Sequence, residues 1–594
     1  MSSDARRPRA GACVTCRSRK RRCVPTSTGG PCQLCHSLSK SCSLGLARRS
    51  TRADGGQPPT VEDRRSSAAS EDAPTGLASR QLFTELVHLY FRYIHDIPHT
   101  IFHEPTFMRR LNDGTAPMIH IYAMCALAAR FSNNPVFGNT APCDRGKFFA
   151  TEAVRLCQPY MISPSLESVQ GFLLIGYYFS GEGNVDGKHI YIGLARLHAE
   201  RLSCSEDSSV VYQEEYRRGW LSIHVASHWS AWDMAMEPES LTDGPEFLPR
   251  MDDATWRSAS AELLDPDQVQ DIFRCDMWAQ MARTLGVFAR INTLLRKLSR
   301  NLISFDDYCA QAAQIEVALE QWTENLPSRL TWKFDNLLFL AGRRLGQVYL
   351  AMHVGFFHFR QMLFFPFLDA RAARKTGPSQ AIKCKDSASV VSFILQYSKT
   401  IRDCELDYFI YGHIGIVSSC VHLHTLLFSD DFRELSMTRQ RLLSNFQYLM
   451  AVKSYWPIVE HYTIHLRTFQ NSCRDSISDP FVLDNWMACF LTEHSSLLSE
   501  RQLAPVQATE PGTPVAAERK SGSENVTPAI LPTIEFLTSQ QSKNDTNTVT
   551  DDFTQSNDLS RLLHDQEITG EALVDSALSW LLDDRYDGSK VTPT

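Results

Sequence analysis

The chain lacks an apolar leader: Ser2, Asp4, Arg6 and Arg7 follow Met1 at once. A secretory h-region is therefore missing, and reduced thiols in a cytosolic or nuclear address are the expectation. Acid is nearly missing from the first fifty residues, where Asp4 stands alone against Arg6, Arg7, Arg9, Arg17, Arg19, Lys20, Arg21, Arg22, Lys40, Arg48 and Arg49. Large apolar side chains are scarce from 43 to 80, a stretch of Gly55, Gly56, Pro58, Pro59, Ser66, Ser67, Ser70, Pro74 and Gly76. Such a segment cannot bury enough surface to fold and reads as a disordered linker. The same glycines and prolines exclude a heptad-bearing coiled coil there. No P-loop, dinucleotide-binding glycine fingerprint or nucleophile elbow occurs at a strand–helix junction, which removes the commonest enzyme classes. No repeat with a period of about 20 to 50 residues is present. The longest weakly polar stretch, Ile410 to Ser429, carries His413, His422 and His424; it reads as a buried helix, and no membrane partner is expected.

What is present is a chain of 594 residues with net charge -7, long enough for several domains and strongly polarised from its basic start to its acidic end. From Gln81 the texture changes. Leu82, Leu86, Leu89, Tyr90, Tyr93 and Ile94 recur at helical spacing, as do Val169, Phe172, Leu173, Gly176 and Tyr177, and little period-two alternation competes with them. The fold class is therefore all-α, with one large helical region over 81–500 broken at Ser163-Pro164, Gly244-Pro245 and Gly377-Pro378. Residues 501–594, rich in Pro, Ser, Thr, Gln and Asn, have the composition of a disordered tail.

Six of the 17 cysteines crowd into the first 42 residues, and eleven lie singly between Cys125 and Cys489. The six read Cys13-x2-Cys16-x6-Cys23 and Cys32-x2-Cys35-x6-Cys42, one unit written twice, behind a disordered basic arm at 1–12. A C-x2-C pair brings two thiolates to one tetrahedral zinc, and the six-residue spacer allows a short helix before the third ligand returns. Six thiolates complete two tetrahedra only if two are shared, which implies two bridged zinc ions. Metal then supplies most of the folding free energy of 13–42, about 10 kcal/mol for each structural zinc. A disulfide knot conflicts with the compartment, and a RING or LIM module needs more ligands with histidine among them, whereas His36 is the only histidine nearby.

This segment closely resembles the fungal zinc binuclear cluster, Zn(2)-Cys(6), DNA-binding domain. The resemblance implies that Cys13 and Cys32 bridge, that Cys16 and Cys23 complete one zinc, and that Cys35 and Cys42 complete the other. The family's loop proline is matched by both Pro25 and Pro31. Between Cys16 and Cys23 lies Arg17-Ser18-Arg19-Lys20-Arg21-Arg22, a cationic helical turn suited to duplex DNA. Most of these cations serve phosphates, each neutralised phosphate contributing about 0.9 to the log–log salt slope. Sequence reading needs a donor aimed at guanine O6 and N7, and Lys20 is the choice. The resemblance supports it, because the family reads CGG-type triplets with a lysine at this position, helped here by Arg19. The plainer reading of the run is nuclear import.

The segment Leu86 to Phe107 resembles the opening of the fungal-specific transcription factor domain, the middle homology region of the same family. Ala126–Arg130, Tyr191–Arg196, Glu215–Trp220 and Leu350–Phe367 follow in the usual order, with Gly219 standing where a bulkier residue is usual. By analogy with that family a pocket among these helices could sense a small-molecule effector. Two histidine pairs, His224 with His228 and His461 with His465, have the i, i+4 spacing of a metalloprotease helix but lack the glutamate after the first histidine, so both read as core or rim histidines. The scattered cysteines read as small buried side chains.

In the tail, Leu573, Val574, Ala577, Leu578 and Leu581 share a helical face, with Trp580 and Tyr586 among Asp575, Asp583, Asp584 and Asp587. Residues 551–594 therefore read as an activation segment for coactivator grooves, or as a terminal helix docked on the protein's own core. Together these features predict a nuclear, non-enzymatic, zinc-dependent regulator of RNA polymerase II transcription, more an activator than a repressor, acting on a metabolic or secondary-metabolite gene set. It binds promoter DNA as a monomer or a homodimer. The competing expectation is a zinc-structured RNA binder or scaffold, disfavoured because 13–42 has no aromatic stacking platform.

Overall fold

Apolar residues recurring every three or four positions fold here as helices. The computed structural model describes Cys32 and residues 77–205, 207–231, 233, 249–258, 276–369, 375–429, 431–475, 484–494 and 498. The arm at 1–12, the cysteine segment apart from Cys32, almost all of the linker and the tail beyond 500 lie outside the described residues. The chain divides into two units, Met1–Pro74 and Thr75–Thr594, and the helices below belong to the second.

They run in chain order as α1 (Arg80–Tyr93), α2 (Glu104–Asn112), α3 (Met118–Ala128), α4 (Lys147–Leu156), α5 (Leu166–Gly181), α6 (Val185–Ala199), α7 (Val210–Ala231), α8 (Asp253–Ser258) and α9 (Met277–Ser299). There follow α10 (Phe305–Asn325), α11 (Phe334–Ala341), α12 (Gly346–Phe364), α13 (Ser379–Thr400), α14 (Phe409–Phe428), α15 (Phe432–Lys453), α16 (Val459–Asp475) and α17 (Asn485–Thr492). No strand occurs among the described residues, and the single isolated bridge joins His95 to His99.

Short polar side chains set the helix starts by satisfying amides that have no intrahelical partner. Ser79 accepts from Leu82 N–H before α1, Asp276 from Ala279 N–H before α9, and Asp484 from Met487 N–H before α17. Ser165 with Ser168, and Ser304 with Asp307, form reciprocal capping boxes. Ser163-Pro164 falls between α4 and α5 as the sequence suggests, and Gly377 takes φ +80° ahead of Pro378, a left-handed turn that glycine adopts without a Cβ clash.

Helices close in sequence dominate the packing: α5 lies against α6, α12 against α13, α3 against α4, and α14 against α13, α15 and α16. One hydrophobic core runs through the unit from Leu77 to Leu491. Its centre is built from α12 and α14, which are apolar on every side and therefore buried on every side. Helix α14 has the length and composition to cross a membrane, yet 89% of its apolar window is covered by other helices. At Gly181 the chain passes so close to the Trp456 ring that any Cβ would collide with it.

Two of the runs that carry the family resemblance hold fully buried arginines. Arg130, just beyond α3, donates to Tyr455 O at 2.7 Å and Leu127 O at 3.1 Å, reaches Glu182 at 3.4 Å and lies 3.8 Å over the Trp456 ring. Arg218 on α7 donates to Glu214 at 2.9 Å, Asp276 at 3.0 Å, Met251 O at 2.8 Å and Thr100 Oγ1 at 3.2 Å, with Asp253 at 3.7 Å. One guanidinium thereby ties α7 to α8, to the start of α9 and to the loop before α2. A buried charge left without such partners would cost several kcal/mol. Gly219, the departure beside it, leaves room: the nearest atom to an added Cβ is Leu166 Cδ1 at 3.9 Å.

Candidate functional site

The expected metal ligands and DNA contacts fall almost wholly outside the described residues. Of Cys13, Cys16, Cys23, Cys32, Cys35 and Cys42, only Cys32 is described, and it is buried. Arg17, Arg19, Lys20, Arg21 and Arg22 lie outside with the rest. As a donor set, six thiols with His36 as the one imidazole among them suit zinc, whose soft-ligand sites are built from thiolates. Among the described residues no group of three histidine, cysteine or acidic side chains is placed to hold a metal ion.

The two histidine pairs take core positions. His224 and His228 stand 4.1 Å apart between ring centroids, and the Nδ1 of His228 lies 3.0 Å from the carbonyl oxygen of His224. Burial pushes His224 down to about 3 and lowers His228 as well, so both rings stay neutral. His465 accepts from Leu498 N–H at 3.1 Å and burial lowers it to about 4; His461 is lowered for the same reason. The scattered thiols at Cys125, Cys384 and Cys404 are pushed up by burial and behave as small apolar side chains.

The feature with the geometry of a binding site is a partly open cavity of about 110 Å³ where α5, α6, α7, α9, α12 and α14 converge. Its wall is mostly hydrocarbon and aromatic: Ile192, Val225, Trp229, Met281, Leu285, Met352, Phe359, Phe409 and Ile414. The convergence follows from sequence, because α12 and α14 have no polar face to turn outward and must meet the apolar faces of the others. One end of the cavity is polar. Lys188 of α6 donates to Asp233 Oδ2, and Asp233 Oδ1 accepts the His494 N–H at 2.9 Å. Both charged side chains are withdrawn from solvent, at 2% and 0% exposure, so the ion pair cancels in place. Burial holds His494 down to about 4 and therefore neutral. Sequence reading missed this trio, which spans 306 positions from Lys188 to His494. The one signal was a lysine inside the apolar run of Tyr191–Arg196 and its approach, and its meaning depended on what lay opposite.

Residues 87–323 match the fungal specific transcription factor domain. An uncharacterized transcriptional regulatory protein of Schizosaccharomyces pombe is 24% identical over 352 residues, 54% of this chain and 35% of its own length. From Fusarium oxysporum f. sp. lycopersici, the Zn(2)-C6 fungal-type transcription factor FTF1c is 21% identical over 463 residues, 70% of this chain and 48% of that protein. FTF2 from the same fungus is 23% identical over 472 residues, 70% of this chain and 42% of that protein. The chain thus spans 35% to 48% of the length of these three relatives. No solved structure matches it. The matched domain begins inside α1, ends inside α10 and contains both buried arginines. With residues 87–323 matching that domain, the chain is similar to fungal proteins named for transcriptional regulation, and the family of the matched domain is one of regulators and not of enzymes.

Proposed function

We propose that this chain is a nuclear, zinc-dependent, sequence-specific DNA-binding regulator of RNA polymerase II transcription, and an activator. The observation that carries the reading is the fungal specific transcription factor domain at 87–323 standing behind the doubled Cys-x2-Cys-x6-Cys segment of 13–42. The domains are a basic arm at 1–12, the cysteine cluster at 13–42, a linker at 43–80, the helical region at 81–500 and a tail at 501–594. Cys13, Cys16, Cys23, Cys32, Cys35 and Cys42 would hold two zinc ions, Cys13 and Cys32 shared between them. The metal supplies rigidity, fixing the short helix that carries Arg17, Arg19, Lys20, Arg21 and Arg22 against the major groove.

In this reading Lys20 and Arg19 read guanines of a CGG-type triplet, while Arg17, Arg21 and Arg22 position the helix on phosphates. The tail at 551–594 recruits coactivators, and the helical domain gates the response, through a small molecule and through pairing of two copies. The regulated genes form a specific metabolic or secondary-metabolite set.

The test is zinc content and duplex selection by the purified chain. Two zinc ions per chain and enrichment of CGG-bearing duplexes are expected. Lys20→Ala should flatten discrimination among GC-rich triplets, and Arg22→Ala should weaken all duplexes alike and lower the salt slope by about 1. Absence of zinc, or equal affinity for selected and scrambled duplexes, would falsify the reading.

A further inference from the structure

We infer that the cavity at the meeting of α5, α6, α7, α9, α12 and α14 is a binding site for an uncharged, single-ring, largely apolar small molecule. This deepens the proposed function by naming the chemistry of the gating ligand, and it rests on that reading only for its regulatory consequence.

The polar groups of the wall decide the class of ligand. Lys188 and Asp233 neutralise each other, and His494 is tied to the same carboxylate. Three of the wall hydroxyls are spent as well: Tyr177 donates to Pro98 O at 3.0 Å, Ser180 to Gly176 O at 2.9 Å and Thr284 to Met281 O at 2.7 Å. A charged ligand would have to shed its hydration and find no uncommitted opposite charge, a cost of several kcal/mol or more. An apolar ring loses nothing comparable, and the remaining surface is hydrocarbon and aromatic.

Size sets the second limit. At about 110 Å³ the space is of the same order as an engineered apolar cavity of about 150 Å³ that stays dry and takes up benzene. Some polarity is tolerated, because two wall side chains keep buried polar atoms without a hydrogen-bond partner among the described residues, the Trp278 indole N–H and the Tyr408 hydroxyl. Both can donate, so the matching ligand atom is an acceptor such as an ether or carbonyl oxygen.

Position gives the binding event a consequence. Helices α5, α6 and α7 come from inside the matched 87–323 stretch, and α12 and α14 from outside it. A ligand in contact with both sets stabilises the arrangement in which they meet, and any state that opens this seam loses it.

The full-length zinc-loaded chain tests the inference with three probes of similar size: anisole, benzoate and benzylamine, by titration calorimetry and thermal shift. Anisole should bind saturably and raise the melting temperature, with benzoate and benzylamine at least tenfold weaker, a difference of about 1.4 kcal/mol. Gly355 of α12 lines the cavity, and an added Cβ there meets nothing within 4 Å. Gly355→Leu should therefore fill the space and weaken anisole at least tenfold. Gly355→Ala should melt no lower than the parent, since alanine replaces glycine inside a helix, and should weaken anisole at least twofold. The inference is overturned if anisole shows no saturable binding, if either charged probe binds as tightly, or if anisole affinity is unchanged in both Gly355 variants. Zinc content and duplex selection, measured on the same preparations, report on the DNA-binding reading separately: their loss with anisole binding intact would sink that reading and leave the cavity assignment standing.

Discussion

Arg130 and Arg218 are both buried to within 1% of full exclusion from solvent, and the fold keeps the two charges in opposite ways. Around Arg218 there are more carboxylates than the guanidinium can neutralise: Glu214, Asp276 and Asp253. Around Arg130 there is one, Glu182, and the rest of the charge is met by carbonyl oxygens and the face of Trp456. The protonation behaviour follows. The acids facing Arg218 raise its affinity for its proton despite burial, whereas burial outweighs the single acid at Arg130 and lowers it. Among the acids, burial and then Asp276 push Asp253 well above the usual carboxylate range, and burial raises Asp276 too. A buried cation can thus be held by excess countercharge, which makes the site strongly responsive to protons, or by one acid with dipoles and a π face, which makes it less so.

The strongest test of that contrast is Arg218→Met. It strands three buried carboxylates, and a loss of about 3 to 5 kcal/mol is expected in urea unfolding. Arg130→Met should cost less, about 2 kcal/mol by the same measurement, because Glu182 can turn toward solvent and the apolar side chain still covers Trp456. Equal losses would erase the distinction between the two sites.

A smaller effect separates them by pH. Asp253 has its folded-state pKa raised, so between the unfolded carboxyl range near about 3.9 and the raised value the folded chain holds the extra proton. Stability contributed by this group is present at the acid end of that window and is lost as pH rises through it. Asp253→Asn keeps a neutral side chain throughout, and its melting temperature should gain on the parent as pH rises from about 4 to 7, by about 1 kcal/mol of stability. Burial raises Glu182 at the other arginine as well, but less, so Glu182→Gln should gain in the same direction by a smaller amount; an equal rise in both variants would count against the surplus of acid at Arg218. Smallest is Gly219→Ala, one position from Arg218, where the space for a methyl group and the gain in helix propensity predict stabilisation by about 0.5 to 1 kcal/mol. A loss instead would mean that close backbone approach is needed there to seat Arg218.

Three of the resemblance-bearing runs supply buried residues to the helical unit. Ala126–Arg130 and Glu215–Trp220 carry the two arginines, and Leu350–Phe367 forms most of α12 and the turn after it. Their helical nature was legible because apolar spacing is local. The partners of the arginines were not, since Glu182 stands 52 residues from Arg130 and Asp276 stands 58 from Arg218, and nothing in a local pattern pairs residues at that distance. The same holds for His224 and His228: their spacing suggested a shared helix face, but only the surrounding burial showed that the rings are neutral and packed.

By itself the sequence determined the helical class of the 81–500 region and the doubled cysteine spacing with its basic run, because each depends on residues within a few positions of one another. The tertiary structure alone decided where a space remains between six helices, that Lys188 and Asp233 cancel at its end, and which buried donors are left unspent. Those properties arise from surfaces brought together across hundreds of residues, where volume and charge are summed over elements that have no sequence relation to each other.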